Sequence, residues 1–191
     1  MKRSKLFLMI VIVLIAIIIV INILKPSISS GEKKVKDLPV SESSIKKTNT
    51  LDQGVEAPDF ELFTLDNKKT KLSDYRGQKI ILNFWATWCP PCKAEMPHME
   101  EFHKKNKDKN ISIVSVNLTS IDKGKSKITS FVKDYGLTFP IMLDESGKIG
   151  LEYQAFAIPT SYIIDEKGII TQKIVGPMDE EMMEKLIGNL K

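Results

Sequence analysis

Phe84-Trp85-Ala86-Thr87-Trp88-Cys89-Pro90-Pro91-Cys92-Lys93 is the stretch that decides how this chain is read. Before it, Lys79 to Trp85 is a continuous apolar run, as expected of a strand covered on both faces. After it, Cys92, Met96, Met99 and Phe102 recur at i, i+4, i+7 and i+10 with charges between them, the period of an amphipathic helix. The two cysteines therefore sit where a buried strand turns into a helix. Residues i and i+3 of a first helical turn lie about 5–6 Å apart at Cβ, close enough for a disulfide. Pro90 and Pro91 fix φ and remove N–H groups that a helix start cannot satisfy internally. At a helix N-terminus a cysteine pKa falls from about 8.5 to as little as about 3.5–7.5, and the thiolate is the attacking species. Cys89 is the expected nucleophile and Cys92, one turn deeper, the protected resolving thiol, which needs a base before it can close a mixed disulfide.

Working outward, Phe60 to Leu65 and Lys69 to Leu72 read as a β-hairpin turning at Asp66-Asn67. Ile111 to Leu118 is a β-branched strand, so strand, helix and strand form a βαβ unit with parallel strands. A second helix is expected from Gly124 to Tyr135, a short strand over Ile141 to Leu143 and a short helix over Lys148 to Tyr153. Thr160 to Ile164 and Ile169 to Val175 form a second hairpin through Asp165-Glu166-Lys167-Gly168, and Asp179 caps a terminal helix. The sum is an α/β fold: a mixed central sheet with helices on both faces.

The first fifty residues have a different character. Lys2, Arg3 and Lys5 precede an apolar run from Leu6 to Leu24, broken only by Asn22. As a helix, 19 residues at about 1.5 Å each span close to the ~30 Å hydrocarbon core of a bilayer. The charge bias across the run puts the N-terminus in the cytoplasm and the remainder outside. The other reading of the run is a signal peptide cleaved near Ser27-Ile28-Ser29. Residues 25–53 are Ser-, Lys- and Thr-rich with no period, as in a solvated linker. The expected organisation is a basic stub (1–5), a transmembrane anchor (6–24), a linker (25–53) and a folded domain (54–191). Of 28 basic and 24 acidic side chains, nine and three fall in residues 1–50, which leaves 19 and 21 for the rest. The positive net charge of the chain is therefore an attribute of its anchor, and nothing marks the folded part as a nucleic-acid binder.

Only two cysteines and two histidines are present. That excludes a disulfide-stapled scaffold, and a zinc site is geometrically poor because His98 and His103 face different sides of one helix. No cofactor is implied beyond the Cys89–Cys92 redox pair itself.

The quoted segment resembles the active site of the thioredoxin superfamily, and Ile158-Pro159-Thr160 matches that superfamily's cis-proline loop. Together with the anchor, the hairpin opened by Ala57-Pro58-Asp59-Phe60 and an extra strand and helix between the βα halves, the chain most resembles membrane-anchored ResA/TlpA-type thiol-disulfide oxidoreductases. The resemblance implies that Ala157, Ile158, Pro159 and Thr160 lie beside Cys89 and pair with substrate backbone, with Trp88 and Pro90 at the rim. Thioredoxins carry a buried Asp where this chain has Asn83, whereas ResA-type proteins carry a Glu where this chain has Glu95. Glu95 is thereby the expected proton partner of Cys92, with a raised pKa. Pro90-Pro91 replaces the Glu-Pro common in ResA-type proteins, which bears on reduction potential. The implied activity is reduction of disulfides in exported proteins, including apocytochrome c, with electrons from a membrane-embedded thiol donor. Sporulation or envelope proteins are the variant substrate class.

Two other functions fit less well. The Ala57-Pro58-Asp59-Phe60 opening also resembles peroxiredoxins, but their Thr stands three residues before the cysteine and Thr87 stands two before Cys89. A non-catalytic binding domain would predict that Cys89→Ser changes nothing.

Overall fold

The computed structural model describes residues 12–15, 17–20, 51 and 53–190. The chain divides into two units, Met1–Lys46 and Lys47–Lys191. In the first, 12–15 and 17–20 are helical and exposed; the rest of the expected span 6–24 and the linker up to residue 50 lie outside the described residues. Among the described residues no helix is long and apolar enough to cross a membrane.

The second unit is built on one seven-stranded sheet in the order β2-β1-β5-β4-β3-β6-β7. The strands are β1 (Glu61–Thr64), β2 (Lys69–Lys71), β3 (Lys79–Trp85), β4 (Ile111–Asn117), β5 (Ile141–Leu143), β6 (Thr160–Ile164) and β7 (Ile170–Val175). The helices are α1 (Pro90–Asn106), α2 (Lys125–Asp134), α3 (Lys148–Glu152) and α4 (Glu180–Gly188). β3 pairs in parallel with β4 and antiparallel with β6, so the expected βαβ unit and C-terminal hairpin share the central strand. β5 joins the N-terminal hairpin to this core, parallel to β4 and antiparallel to β1.

Alternation along β3 sends Ile81 and Trp85 to one face and Ile80, Leu82 and Phe84 to the other. On the first face the predicted stripe of α1 (Cys92, Met96, Met99, Phe102) packs with Ile128 and Phe131 of α2 and Met183 and Ile187 of α4. The second face is covered mainly by non-helical chain, Leu51, Ala57, Phe60 and Leu72, and by the short α3 through Ile149 and the following Tyr153. Helices do lie on both faces, but three to one, because only the first face receives long amphipathic segments.

The boundary of the folded part also moves. Leu51 is buried in the core and the Gly54 N–H donates to the Ile170 carbonyl at 2.8 Å, so packed chain begins before the end of the expected linker. At the second hairpin Gly168 has φ +83°, and a Cβ there would collide with the guanidinium of Arg76, which donates to the neighbouring Lys167 carbonyl at 2.5 Å. Only glycine admits both the turn and the arginine.

Candidate active site

Cys89 is the N-cap of α1, with extended backbone (φ −79°, ψ 114°), and Pro90 and Pro91 open the helix. Its sulfur accepts the Cys92 N–H at 3.2 Å, one of the donors a helix start leaves free. The two cysteines are joined as a disulfide across a Cα–Cα distance of 5.3 Å. Both are buried: Cys89 is 2% exposed and Cys92 fully enclosed. The chain neighbours of Cys89, Trp88 and Pro90, are both exposed.

The loop before the cysteine is pinned by a residue the sequence did not single out. Asp122 accepts the Thr87 N–H at 2.7 Å, the Thr87 hydroxyl and the Asn117 side-chain amide at 2.8 Å. Burial pushes the Asp122 pKa up, but these hydrogen bonds outweigh it and hold the carboxyl below the ordinary value. Trp88 closes the same loop by donating its indole N–H to the Ile121 carbonyl at 3.1 Å. A carboxylate that directly follows the short helical turn Thr119–Ile121 carries no local signal that it will reach back to Thr87.

The Ile158–Pro159 peptide is cis, and the Ile158 carbonyl oxygen lies 3.5 Å from Cys89 Sγ. The loop is thus brought to the Cys89 sulfur from nearly seventy residues further along the chain. Its four residues are not equivalent. Ala157 is exposed and Ile158 half-buried, whereas Pro159 and Thr160 are buried. The Thr160 hydroxyl donates to the Ala157 carbonyl at 2.6 Å, and the Gly176 N–H donates to the Pro159 carbonyl at 2.9 Å. Pro159 and Thr160 shape the loop from inside, and the face open to a partner is made by Ala157 and Ile158.

Glu95 is fully buried one turn along α1 from Cys92. Its Oε1 accepts the Met178 N–H at 3.0 Å and its Oε2 the Asn83 amide at 3.0 Å. Burial raises its pKa and the two hydrogen bonds lower it; burial wins, and the group titrates at about 7.

Residues 53–173 match the AhpC/TSA family. The thioredoxin-like protein YneN of Bacillus subtilis is 46% identical over 140 residues, 73% of this chain and 81% of that protein. The thiol-disulfide oxidoreductase ResA of Bacillus thuringiensis is 38% identical over 141 residues, 74% of this chain and 80% of that protein. The crystal structure of StoA from Bacillus subtilis superposes with a TM-score of 0.62 at 36% identity, over 70% of this chain and 98% of that one. The chain belongs to the ResA-type thiol-disulfide oxidoreductases of the AhpC/TSA family.

The fold is accordingly thioredoxin-like, with the mixed sheet expected. Within the family's broad range of thiol chemistry, the surroundings of Cys89 favour exchange over peroxide reduction. Thr87, the candidate for a peroxidatic threonine, spends its hydroxyl on Asp122. Of the groups that support Glu95, Asn83 was noted in the sequence only as the replacement of a buried Asp, and Ser161 and the Met178 N–H were not noted at all. The one available signal was Asn83 itself, a polar side chain inside an otherwise apolar strand.

Proposed function

We propose that this protein is a membrane-tethered reductase of disulfides in exported proteins, anchored by residues 6–24 with its folded domain outside the cytoplasmic membrane. The observation that carries the reading is the place of Cys89: N-cap of α1, beside the cis-proline loop, disulfide-bonded to a fully buried Cys92. In the reduced protein the Cys89 thiolate attacks one sulfur of the substrate disulfide, forming a mixed disulfide and releasing one substrate thiolate. Cys92 gives its proton to the Glu95 carboxylate and attacks Cys89 Sγ, forming the Cys89–Cys92 disulfide and releasing the second substrate thiolate. The released thiolates take up protons; the substrate gains two electrons and the protein loses two. A membrane-embedded dithiol donor restores the pair by the same exchange in reverse.

The haem-attachment cysteines of apocytochrome c are the substrate this reading favours, in line with the ResA resemblance. A second substrate class, envelope proteins of sporulation, is raised by the 40% identity over 110 residues to the sporulation thiol-disulfide oxidoreductase A of Bacillus subtilis. A Cys92→Ala variant stops the cycle at the mixed disulfide. Non-reducing electrophoresis of cells expressing it is expected to show adducts with exported proteins, which mass spectrometry identifies. Exchange retained by Cys89→Ser would overturn the reading. Direction follows from the reduction potential: a value near that of thioredoxin, about −270 mV, supports a reductase, and one near about −120 mV makes the protein an oxidant.

A further inference from the structure

Asn83 stands at the centre of β3, fully buried, on the face that meets α1. Both N–H groups of its amide are used, one on Glu95 Oε2 at 3.0 Å and one on Ser161 Oγ at 2.9 Å, while its own carbonyl oxygen has no partner among the described residues. Glu95 Oε1 is held by the Met178 N–H, a backbone donor that cannot become an acceptor. Each carboxylate oxygen thus faces one donor, an arrangement suited to the anion. A proton arriving at Glu95 must go to Oε2, because Oε1 is committed to the backbone. There it would point at the N–H of Asn83.

We propose that Asn83 is a positioning residue for thiol exchange, holding the Glu95 carboxyl in place in both protonation states by turning its amide over. With Glu95 ionised, Nδ2 donates to Oε2. With Glu95 protonated, the amide is inverted, Oδ1 accepts from Oε2–H, and the Ser161 hydroxyl rotates from acceptor to donor toward the same Oδ1. A serine hydroxyl can make that change and an amide presents both functions at nearly equal size. Aspartate at this position would donate nothing to the carboxylate unless it kept a proton of its own, and leucine would serve neither state. The titratable groups around Glu95 are Cys92 one turn back on α1, His98 one turn on, and Asp179, which lines with His98 the cleft of about 260 Å³ between α1 and the 177–179 segment. None of these touches Oε2. Asn83 does.

The inference deepens the proposed role of Glu95 as proton partner of Cys92, yet its test does not depend on that role. In the oxidised full-length chain, the Glu95 carboxyl is followed by 13C chemical shift against pH and assigned by its loss in Glu95→Gln. The side-chain 15N–H signals of Asn83 are expected to move with the same midpoint. A hydrogen bond to a charged acceptor is about twice as strong as a neutral one, so loss of the amide costs the carboxylate more than the acid. Asn83→Leu is therefore expected to raise the Glu95 midpoint by about one unit or more. Asn83→Asp is expected to replace the single titration by two coupled steps. Asn83 signals that do not respond to pH in the wild-type protein, or an unchanged Glu95 midpoint in a folded Asn83→Leu, would overturn the inference. Thiol exchange unaffected by Glu95→Gln would instead remove Glu95 from the cycle and leave the Asn83–Glu95 coupling standing.

Discussion

The two faces of the central sheet are made from the same strands and differ in how their polar atoms are treated. On the face covered by α3 and the N-terminal segment, Phe60, Phe84, Tyr153 and Tyr162 pack edge-on or tilted with ring centroids 5.2–6.2 Å apart. Both buried tyrosine hydroxyls there are engaged, Tyr153 on the Pro58 carbonyl and Tyr162 on the Tyr153 carbonyl. On the face covered by α1, a polar row crosses the sheet in register, Ser115 of β4, Asn83 of β3 and Ser161 of β6, all fully buried. That row lies near a buried carboxyl and contains two atoms without partners among the described residues, Asn83 Oδ1 and Ser115 Oγ, beside a third, Trp85 Nε1. Orphaned polar atoms cost stability wherever they are buried. The difference teaches that stability and chemistry have been assigned to opposite sides of one sheet.

The largest effect is expected on the satisfied face. Phe84 is fully buried between Tyr153 and Tyr162, and Phe84→Ala is expected to destabilise the protein by about 3–5 kcal/mol in denaturant unfolding. The Glu95 midpoint should stay where it is. A midpoint that moves with Phe84→Ala would show the faces to be coupled through β3 and end the division just described.

Next in size, and opposite in sign, is Glu95→Gln. The folded-state pKa of Glu95 is raised from 4.5 to about 7, so between those values the folded state binds more protons than the unfolded one. Stability therefore falls as pH rises through that window, and the full loss, about 3 kcal/mol, is present above pH ~7. Gln cannot ionise and escapes it. Thermal or urea unfolding of the oxidised protein should find Glu95→Gln more stable than wild type at pH 8 by an amount on this order, with the difference gone below pH ~4.5. Equal stability at both pH values would mean that Glu95 is not a buried titrating group. The gain in the variant measures what the protein gives up to keep an ionisable group buried one turn along α1 from Cys92.

These two sites also separate what was legible in the sequence from what was not. The strand β3 and the helix α1 are written in local periods, and so are both hairpins, whose turns carry Asn67 and Gly168 with positive φ. Glu95 was legible only through the family resemblance, because a carboxyl at i+3 from Cys92 reads within its own helix equally as a complement to the helix dipole. The antiparallel pairing of β1 with β5 was not, because it joins Phe63 to Leu143 and no local pattern encodes a partner that distant. Nor was the polar row. Asn83, Ser115 and Ser161 each read as one small exception within its own strand, and only register brings them side by side. Asp122 and Glu100 escaped for the same reason, as each satisfies a backbone N–H far along the chain, Thr87 and Thr138 respectively.

The finest distinction lies within the polar row, between two serines of equal burial. Ser161 accepts one N–H of Asn83 at 2.9 Å, so Ser161→Ala leaves that donor without a partner and is expected to cost about 1–2 kcal/mol. Ser115 Oγ has no partner among the described residues, so its hydroxyl carries a desolvation cost that nothing offsets. Ser115→Ala removes the orphan and leaves a methyl group in nearly the same space, and it is expected to be neutral or to stabilise by up to about 1 kcal/mol. The pair of unfolding curves is therefore expected to diverge from two substitutions of identical chemistry on adjacent strands, separated only by whether Asn83 uses the hydroxyl. Destabilisation by Ser115→Ala equal to that of Ser161→Ala would place a buried water between Ser115 Oγ and Asn83 Oδ1. The row would then be fully satisfied, and the asymmetry between the two faces of the sheet would rest on Glu95 and the Trp85 indole N–H.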